Sequence, residues 1–172
     1  KWRDFTEANS WQATWGAQHD PKGYIDLLGG RQAFVAKLDA LFQESTETVG
    51  EKVVDMTGLV GQYAHGNEPS HHIAYLYSYA GAPYKTQERV RYLLDNLYGN
   101  TPDDGVSGNE DCGQMSAWYV ISALGFYAVD PAGGNYVFGT PLFDRVTVEM
   151  GAGRKLVVEA IRKSPGEKYI QS

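Results

Sequence analysis

Three acidic side chains stand out because each lies at or just before the start of a predicted helix. They are Glu7, Glu68 and Asp111. The first turn of a helix carries free N–H groups and the positive end of the helix dipole, so a carboxylate placed there stays ionised. Hydrolysis of a glycosidic bond needs one carboxyl group to protonate the leaving oxygen and a second to activate water or attack the sugar. Glu7 and the Glu110-Asp111 pair meet that requirement if their helices pack side by side.

Two of these acids also have a local structural interpretation to be weighed. Asp111 is followed three residues later by Gln114, a pattern typical of a capping box in which Asp111 only caps its helix. Glu68 fits such a role less well, because glutamate is a poor N-cap and Pro69 in the first turn leaves Glu68 in the capping position. The local pattern therefore favours a cap at Asp111 and indicates another role for Glu68.

Oxygen-bearing side chains gather around the same two acids. Asn67 precedes Glu68, and Asn109 and Glu110 precede Asp111. The adjacent carboxylates of Glu110 and Asp111 either raise each other's proton affinity or bind a hard cation. Together with backbone carbonyls, the side chains of Asn67, Glu68 and Asp111 suit calcium (Ca2+), which prefers oxygen ligands.

Other residue types that could do chemistry are better explained by packing. His71 and His72 are adjacent and point to different sides of a predicted helix, which favours packing or hydrogen bonding over zinc ligation. Cys112, at the start of an apolar helix, is expected to be an inert buried thiol. The glycine-rich stretch 131–135 lacks the lysine of a phosphate-binding loop, and no GxSxG motif is present. Aromatic residues, 13% of the chain, cluster beside the acids and fit either core packing or sugar stacking.

The composition indicates a globular unit and excludes several classes of partner. The chain has 172 residues, of which 42% are hydrophobic and 21% charged, enough to bury one sizeable core. A net charge of −6 argues against nucleic acid as a partner. No apolar run approaches the ~20 residues that cross a membrane. A single cysteine excludes an internal disulfide, and a start at Lys1 without a signal sequence is what a mature or truncated protein would show.

Hydrophobic periodicity predicts a helical chain with a β-rich end. The expected helices span 31–45, 69–80, 86–98 and 111–124, with short turns near 10–17 and 23–28. Gly99 and Gly125 are expected to end two of them in the left-handed conformation. The helices at 69–80 and 111–124 are apolar almost all round, which is typical of helices buried in pairs within a bundle or toroid.

The pattern changes to strands after Pro131. Residues 146–150 and 155–160 flank a glycine-containing turn at 151–154, which predicts a hairpin. Residues 167–172 predict a further strand. We therefore divide the chain into a helical part, residues 1–130, and a β-rich appendage, residues 131–172.

Three segments, taken in order, carry a recognisable pattern. They are EANSWQ at 7–12, followed by His19-Asp20, HGNEPSHH at 65–72 and GNEDCGQMSAW at 108–118, which continues into ALGFY at 123–127. Together they resemble glycoside hydrolase family 92, the calcium-dependent, inverting exo-α-mannosidases, and the resemblance covers nearly the whole chain. The chain departs from the family pattern after the first segment, and we expect this departure to alter the wall of the sugar pocket or the fit of the leaving sugar. The departing residues are Ala13, Gly16, Ala17 and Gln18.

The resemblance implies roles for the residues that match its motifs. Glu7 would be the general acid and Asp111 the general base. Asn109 and Glu110 would support the base, although family members often have a second acid where this chain has Asn109. The segment with Asn67 and Glu68 would surround calcium, which engages the 2- and 3-hydroxyls of mannose. The expected substrate-binding residues are Trp11, Gln12, His65 and Trp118.

The family's architecture implies a mainly α fold, a partial (α/α)6 toroid of paired helices with a small antiparallel β appendage at the C-terminus. Because family members are far longer, we expect this chain to be the C-terminal part of the catalytic region. It would need the rest of its own chain or a second copy to complete the fold, and would be inactive alone. The resemblance further implies a bacterial enzyme, secreted or periplasmic, that removes α-linked mannose from glycans.

Two other functions stay open. One is a non-catalytic helical module that binds sugar or a protein partner and retains the family motifs. The other is a helical toroid with a different chemistry, such as a lyase or a phosphorylase. Calcium-dependent mannose binding without hydrolysis would distinguish the first, and the identity of the released product would distinguish the second.

Overall fold

The computed structural model describes residues 4–48, 54–164 and 166–171, and within them a helical body is followed by a β hairpin. The helices are α1 (Ser10–Ala13), α2 (Pro21–Leu27), α3 (Arg31–Gln43), α4 (Leu76–Tyr79), α5 (Pro83–Asn96) and α6 (Gln114–Leu124). The strands are β1 (Leu59–Val60), β2 (Tyr63–Ala64), β3 (Phe126–Tyr127), β4 (Val137–Phe138), β5 (Arg145–Glu149) and β6 (Lys155–Glu159). Each strand pairs antiparallel with the next, as β1 with β2, β3 with β4 and β5 with β6. The prediction of a helical chain with small antiparallel sheets is confirmed.

Two of the predicted helices form close to their expected bounds. α3 buries one stripe, made of Phe34, Leu38, Leu41 and Phe42. α6 ends at Gly125, whose φ of 101° is left-handed, as expected. Its outer face is not covered in this chain, because Val120 is 59% exposed. The expectation that α6 is buried all round is therefore only partly met.

The end of α5 differs from the prediction. The helix begins at Pro83, earlier than expected, and its C-cap is Leu97 rather than a left-handed glycine. Gly99 does not have a positive φ; instead, Gly99 lies against Asp104, whose backbone oxygen would collide with a Cβ at this position. Gly99 is therefore used for close approach of two chain segments, and its prediction as a left-handed helix terminator is wrong.

Residues 69–80 do not form one continuous helix. The segment is divided into two 3₁₀ turns, Glu68–Ser70 and Ile73–Tyr75, followed by the short helix α4. Between the turns, His71 and His72 direct their ring nitrogens to backbone carbonyls of other segments. The predicted burial is confirmed, since residues 70–77 are all buried. Tertiary hydrogen bonds, rather than helix periodicity, thus determine the local geometry here.

The core lies between α2, α3, α4, α5 and α6 and is rich in aromatic rings. Its largest fully buried side chains include Trp15, Phe34, Tyr63, Tyr75, Tyr77 and Trp118. The ring of Trp118 stacks on Tyr98, with centroids 6.0 Å apart and planes at 4°. Tyr75 stacks on Tyr127 at 4.8 Å. Of the two interpretations of the aromatic clusters, core packing accounts for these rings.

The C-terminal hairpin pairs β5 with β6 in the register that brings Arg145 opposite Glu159. Residues 167–171 are not a strand, so that prediction is wrong for the described part of 167–172. This tail is instead held to α5 by side chains: Tyr169 donates a hydrogen bond to Glu88, and Ile170 N–H donates to Gln87 Oε1 at 3.3 Å. The division of the chain at residue 130 stays a prediction. Among the described residues, no helix combines the length and apolar content needed to cross a bilayer.

Candidate active site

The first acid, Glu7, lies in an exposed loop before α1 and has a left-handed backbone, with φ of 56°. Residues other than glycine rarely adopt this conformation, and such positions cluster at functional sites. The Glu7 carbonyl oxygen accepts a hydrogen bond from Asn67 Nδ2 at 3.2 Å. That contact ties the Glu7 loop to the segment that carries the second acid, Glu68.

The start of α1 is fixed by a capping box that also anchors it to the β1–β2 turn. Asn9 Oδ1 accepts from Trp11 N–H at 2.8 Å, and Gln12 Oε1 accepts from Asn9 N–H at 2.7 Å. Asn9 Nδ2 donates to Gln62 Oε1 at 2.9 Å, and Gln12 Nε2 donates to the Gln62 carbonyl. Glu7 therefore precedes a helix start that is fixed by its own capping box and by hydrogen bonds to Gln62.

Trp11 and Gln12, the two residues of α1 that were predicted to bind sugar, differ in their contacts. Both ends of the Gln12 amide bind protein groups and the residue is 8% exposed. This arrangement gives Gln12 a structural role at the start of α1, and its expected sugar contact stays a prediction. Trp11 is half-buried and packs against the core, and its expected sugar contact stays a prediction.

The second acid, Glu68, is half-buried and begins a 3₁₀ turn. Its Oε1 atom is buried and has no hydrogen-bond partner among the described residues. An unsatisfied buried carboxylate oxygen is costly, so such an atom fits a cation ligand. Asn67 beside it supplies a further amide oxygen. No group of three or more histidine, cysteine, aspartate or glutamate side chains suited to a metal occurs in the described ranges, so these two residues would supply only part of a calcium shell.

The third acid, Asp111, is exposed at the first position of a 3₁₀ turn, Asp111–Gly113. The predicted capping box does not form: Gly113 is the N-cap of α6, and Gln114 Nε2 donates instead to His71 Nδ1 at 3.1 Å. Asp111 is therefore not used as a helix cap. The next residue, Cys112, has a left-handed φ of 52° and is exposed, which corrects the expectation of a buried thiol.

Glu110 holds the start of α6. One of its carboxylate oxygens accepts from Ser116 N–H at 3.0 Å and the other from the Ser116 hydroxyl. These hydrogen bonds lower the pKa of Glu110, because they stabilise the charged form. The alternative in which Glu110 and Asp111 raise each other's proton affinity is therefore not supported for Glu110. Asn109 is exposed, and its supporting role stays a prediction.

Two glycines allow the segments of Glu68 and Asp111 to cross in direct contact. A Cβ added to Gly108 would lie 3.0 Å from Gly66 Cα and closer still to the Gly66 oxygen. A Cβ added to Gly66 would lie 2.8 Å from the Ser107 oxygen and would also collide with Thr57. Neither glycine has a positive φ, so the requirement is for space. With the Asn67 contact to Glu7, this crossing brings the three acid-bearing segments to one junction.

A family model described as the glycosyl hydrolase family 92 catalytic domain matches residues 1–172. This chain belongs to glycosyl hydrolase family 92. The prediction drawn from the three sequence segments is thereby confirmed.

Solved structures of the family share the fold of this chain. A family 92 α-mannosidase from Bacteroides thetaiotaomicron is 42% identical, with a TM-score of 0.85 over 97% of this chain and 21% of that chain. The same enzyme in complex with mannoimidazole has a TM-score of 0.87. A family 92 inverting mannosidase from that organism is 43% identical, with a TM-score of 0.73 over 91% of this chain and 22% of its own.

A curated relative comes from a fungus. An uncharacterized secreted glycosidase of Arthroderma benhamiae is 30% identical over 143 residues, covering 83% of this chain and 16% of that protein. The chain thus spans between 16% and 22% of the length of these relatives. It corresponds to a part of a family 92 catalytic domain.

Two further residues expected to bind sugar lie beneath the junction of this family 92 segment. His65 and Trp118 are both 0% exposed, so a direct sugar contact by either is not compatible with the structure. Burial, and to a lesser extent the electrostatic repulsion that His71 would exert on a charged ring, lowers the pKa of His65 to about 3, so its imidazole is neutral. A sequence motif does not distinguish a surface residue from a buried one, which is why the sequence could not predict their burial.

The predictions of packing or hydrogen bonding for His71 and His72 are confirmed. His71 Nε2 donates to the His65 carbonyl at 3.0 Å, and His72 Nε2 donates to the Trp15 carbonyl at 2.7 Å. Burial lowers the pKa of His71 to about 4, consistent with a neutral ring. Asn9 and Gln62, which anchor the Glu7 loop, were not predicted from the sequence. The N-x-x-Q spacing of Asn9 and Gln12 was the available signal for the first.

Proposed function

We propose that the protein containing this chain is an inverting exo-α-mannosidase, secreted or periplasmic, that removes α-linked mannose from glycans. The observation that carries the proposal is the junction of the three acid-bearing segments. Asn67 binds the Glu7 carbonyl, and Gly108 crosses over Gly66. The backbone segments that carry these acids, which are distant in sequence, thus meet at one junction. The likeness to family 92 α-mannosidases at 42% identity supports mannose as the sugar.

In this proposal Glu7 and Asp111 divide the proton chemistry. Glu7 donates a proton to the glycosidic oxygen as the bond from that oxygen to the anomeric carbon breaks. Asp111 removes a proton from the water whose oxygen bonds to the same carbon from the opposite face. Inversion requires carboxyl groups ~6.5–9.5 Å apart, which leaves room for that water. Asp111 suits the role of base because it is exposed and does not cap α6.

Asn67 and Glu68 are the residues of this chain that would hold calcium. Bound there, calcium would supply a positive charge that helps to orient the sugar and favours the distorted ring of the transition state. The buried, unpartnered Oε1 of Glu68 supports a cation ligand at this position. Asn67 also donates through Nδ2 to the Glu7 carbonyl, so its amide ties the acid loop to the segment that would hold the ion.

The rest of a longer polypeptide, or a second copy, is proposed to complete the (α/α)6 toroid and the sugar pocket. Two cavities of this chain, of about 390 and 520 Å³, are lined by other residues than the three acids. Large apolar side chains such as Val120, Tyr136 and Phe138 are more than half exposed, and exposed apolar patches of this kind mark surfaces that pack against something. The 172-residue chain alone is therefore expected to be inactive.

The decisive test is Glu7→Gln in the full-length protein. We expect a loss of ~10²–10⁴-fold in kcat on natural α-mannosides, whose leaving groups need a proton, and a much smaller loss on aryl mannosides with good leaving groups. The matched control is Glu47→Gln, another exposed glutamate, for which both rates should match those of the unmodified protein. Equal losses on the two substrates would exclude Glu7 as the acid.

The same protein tests the remaining parts of the mechanism. Chelation should abolish turnover and added calcium should restore it; indifference to the chelator would remove the metal from the proposal. Proton NMR of the first product should show β-mannose, as inversion requires. Release of an unsaturated sugar or of a sugar phosphate would point to a lyase or a phosphorylase instead.

The alternative is a module that binds sugar or a protein partner without hydrolysis. It is favoured by Asn109, which stands where family members often have a second acid. Calcium-dependent binding of mannose by the full-length protein, with no free mannose released, would support this alternative over the mannosidase.

A further inference from the structure

Beneath the junction of the acid-bearing segments lies a chain of hydrogen bonds centred on His65. Tyr63 Oη lies 2.8 Å from His65 Nδ1, and Tyr98 Oη lies 2.7 Å from His65 Nε2. Tyr98 Oη also donates to the Met115 carbonyl at 3.1 Å. Because Met115 is in the first turn of α6, the chain connects the β2 strand before Glu68 with the helix that follows Asp111.

Only one arrangement of protons satisfies every partner in this chain. Tyr98 has a single hydroxyl hydrogen, which it donates to the Met115 carbonyl, so towards His65 its oxygen must accept. His65 therefore carries its proton on Nε2 and donates to Tyr98. Its Nδ1 is then unprotonated and accepts the hydroxyl hydrogen of Tyr63. The hydrogen bonds run in one direction, from Tyr63 through His65 and Tyr98 to α6.

A second path runs parallel to the first. The His71 ring accepts from Gln114 Nε2 at 3.1 Å and donates to the His65 carbonyl at 3.0 Å. Trp118 Nε1 donates to the His71 carbonyl at 3.0 Å, and its ring meets that of His65 edge-on, with centroids 4.4 Å apart. α6 is thus joined to the 65–71 segment by directed contacts along its first turns.

We infer that His65 is a positioning residue: it sets the place of α6, and with it Asp111, relative to the segment that bears Asn67 and Glu68. The inference rests on the proposed function for its effect on catalysis. His65 is fully buried; it acts through Tyr98 and Met115. A displacement of a reacting group by about 1 Å can cost ~10²-fold in rate, so loss of the link should appear in kcat.

The two tyrosines provide a matched pair of substitutions in the full-length protein. Tyr98→Phe removes the hydroxyl on the α6 side of His65, and Tyr63→Phe removes the hydroxyl on the other side; each keeps its ring. We expect Tyr98→Phe to lower kcat ~10–100-fold and Tyr63→Phe to lower it several-fold less. Tyr92→Phe, an exposed tyrosine of α5, is the control and should behave as the unmodified protein.

Substitution of His65 itself tests the direction of the chain. The amide nitrogen of glutamine reaches the place of Nε2, so His65→Gln keeps a donor towards Tyr98. The amide oxygen of asparagine replaces Nδ1, so His65→Asn keeps only the acceptor for Tyr63. We expect His65→Gln to keep most of the kcat of the unmodified protein and His65→Asn to keep little of it. A purely space-filling role of His65 would not produce that difference. Equal kcat values for the two variants would overturn the inference.

Hydrogen exchange separates this inference from the proposed function. Tyr98→Phe should increase exchange in a peptide covering residues 111–118 of the full-length protein, and Tyr63→Phe should increase it less. If the unmodified protein has no glycosidase activity, the proposed function fails while exchange still reports the link. Unchanged exchange at 111–118 together with an unchanged kcat in Tyr98→Phe would refute the positioning role.

Discussion

The segments around the acidic junction and the C-terminal hairpin are stabilised in opposite ways. Around the junction, His65, His71 and Trp118 are buried and each bonds to a group distant in sequence. In the hairpin, β5 alternates exposed and half-buried residues, and its pairing with β6 is local in sequence. Its ion pairs, such as Lys155 with Glu149 at 2.7 Å, are more than half exposed.

The difference shows where this protein tolerates change. A buried residue with directed partners leaves those partners unsatisfied when it is removed, and that costs more than the contact itself contributes. An exposed strand residue loses only a partial packing contact and some β propensity. We therefore expect substitutions at the junction to have large effects that spread between segments, and hairpin substitutions to have small effects confined to the hairpin.

The largest expected effect is that of Trp118→Ala. Removal of this fully buried ring should lower the free energy of opening of α6 by ~3–5 kcal/mol. In the hairpin, Val157 is 45% exposed, and Val157→Ala should cost ~1 kcal/mol or less. Hydrogen-exchange mass spectrometry of the full-length protein measures both regions in one experiment. Similar losses for the two variants would remove the contrast between them.

A smaller effect is expected from Gly108→Ala, which tests the crossing of the two acid-bearing segments. The added methyl group would collide with the backbone of Gly66, and relief of that overlap should cost ~1–3 kcal/mol. Gly16→Ala is the control, because its Cβ would meet only the Ala13 oxygen, at 3.7 Å. The rate of amide hydrogen exchange in the full-length variant should rise at residues 65–68 as well as at 108–111. A rise at 108–111 alone would show that the two segments are not coupled.

The smallest effect is expected from Lys155→Ala in the hairpin. The Lys155–Glu149 pair is exposed, so its loss should change hairpin stability by less than ~1 kcal/mol. The half-buried Lys85 provides the comparison, since it binds Asp39 at 2.6 Å beside the Tyr77 hydroxyl. Thermal unfolding of the full-length variants should therefore show a larger shift for Lys85→Ala. A larger shift for Lys155→Ala would reverse the ranking of the two regions.

Local features were predictable because they depend on neighbours in sequence. The stripe of α3, the left-handed Gly125 and the hairpin turn each follow from side chains within a few residues. The family could also be recognised, since its motifs are short and contiguous. The acids Glu7, Glu68 and Asp111 were singled out in this way; Glu68 and Asp111 begin 3₁₀ turns, whereas Glu7 lies in the loop before α1.

What the sequence by itself determined is therefore the family, the main helices, the hairpin and the identity of the acidic residues. Only the tertiary structure decided that residues 69–80 break into turns, that Gln12, His65 and Trp118 are buried, and that Glu110 is bound by Ser116. The physical reason is that these outcomes depend on hydrogen bonds and burial between segments far apart in the chain. A motif records which side chains are present, but their exposure and their partners arise only when those segments pack together.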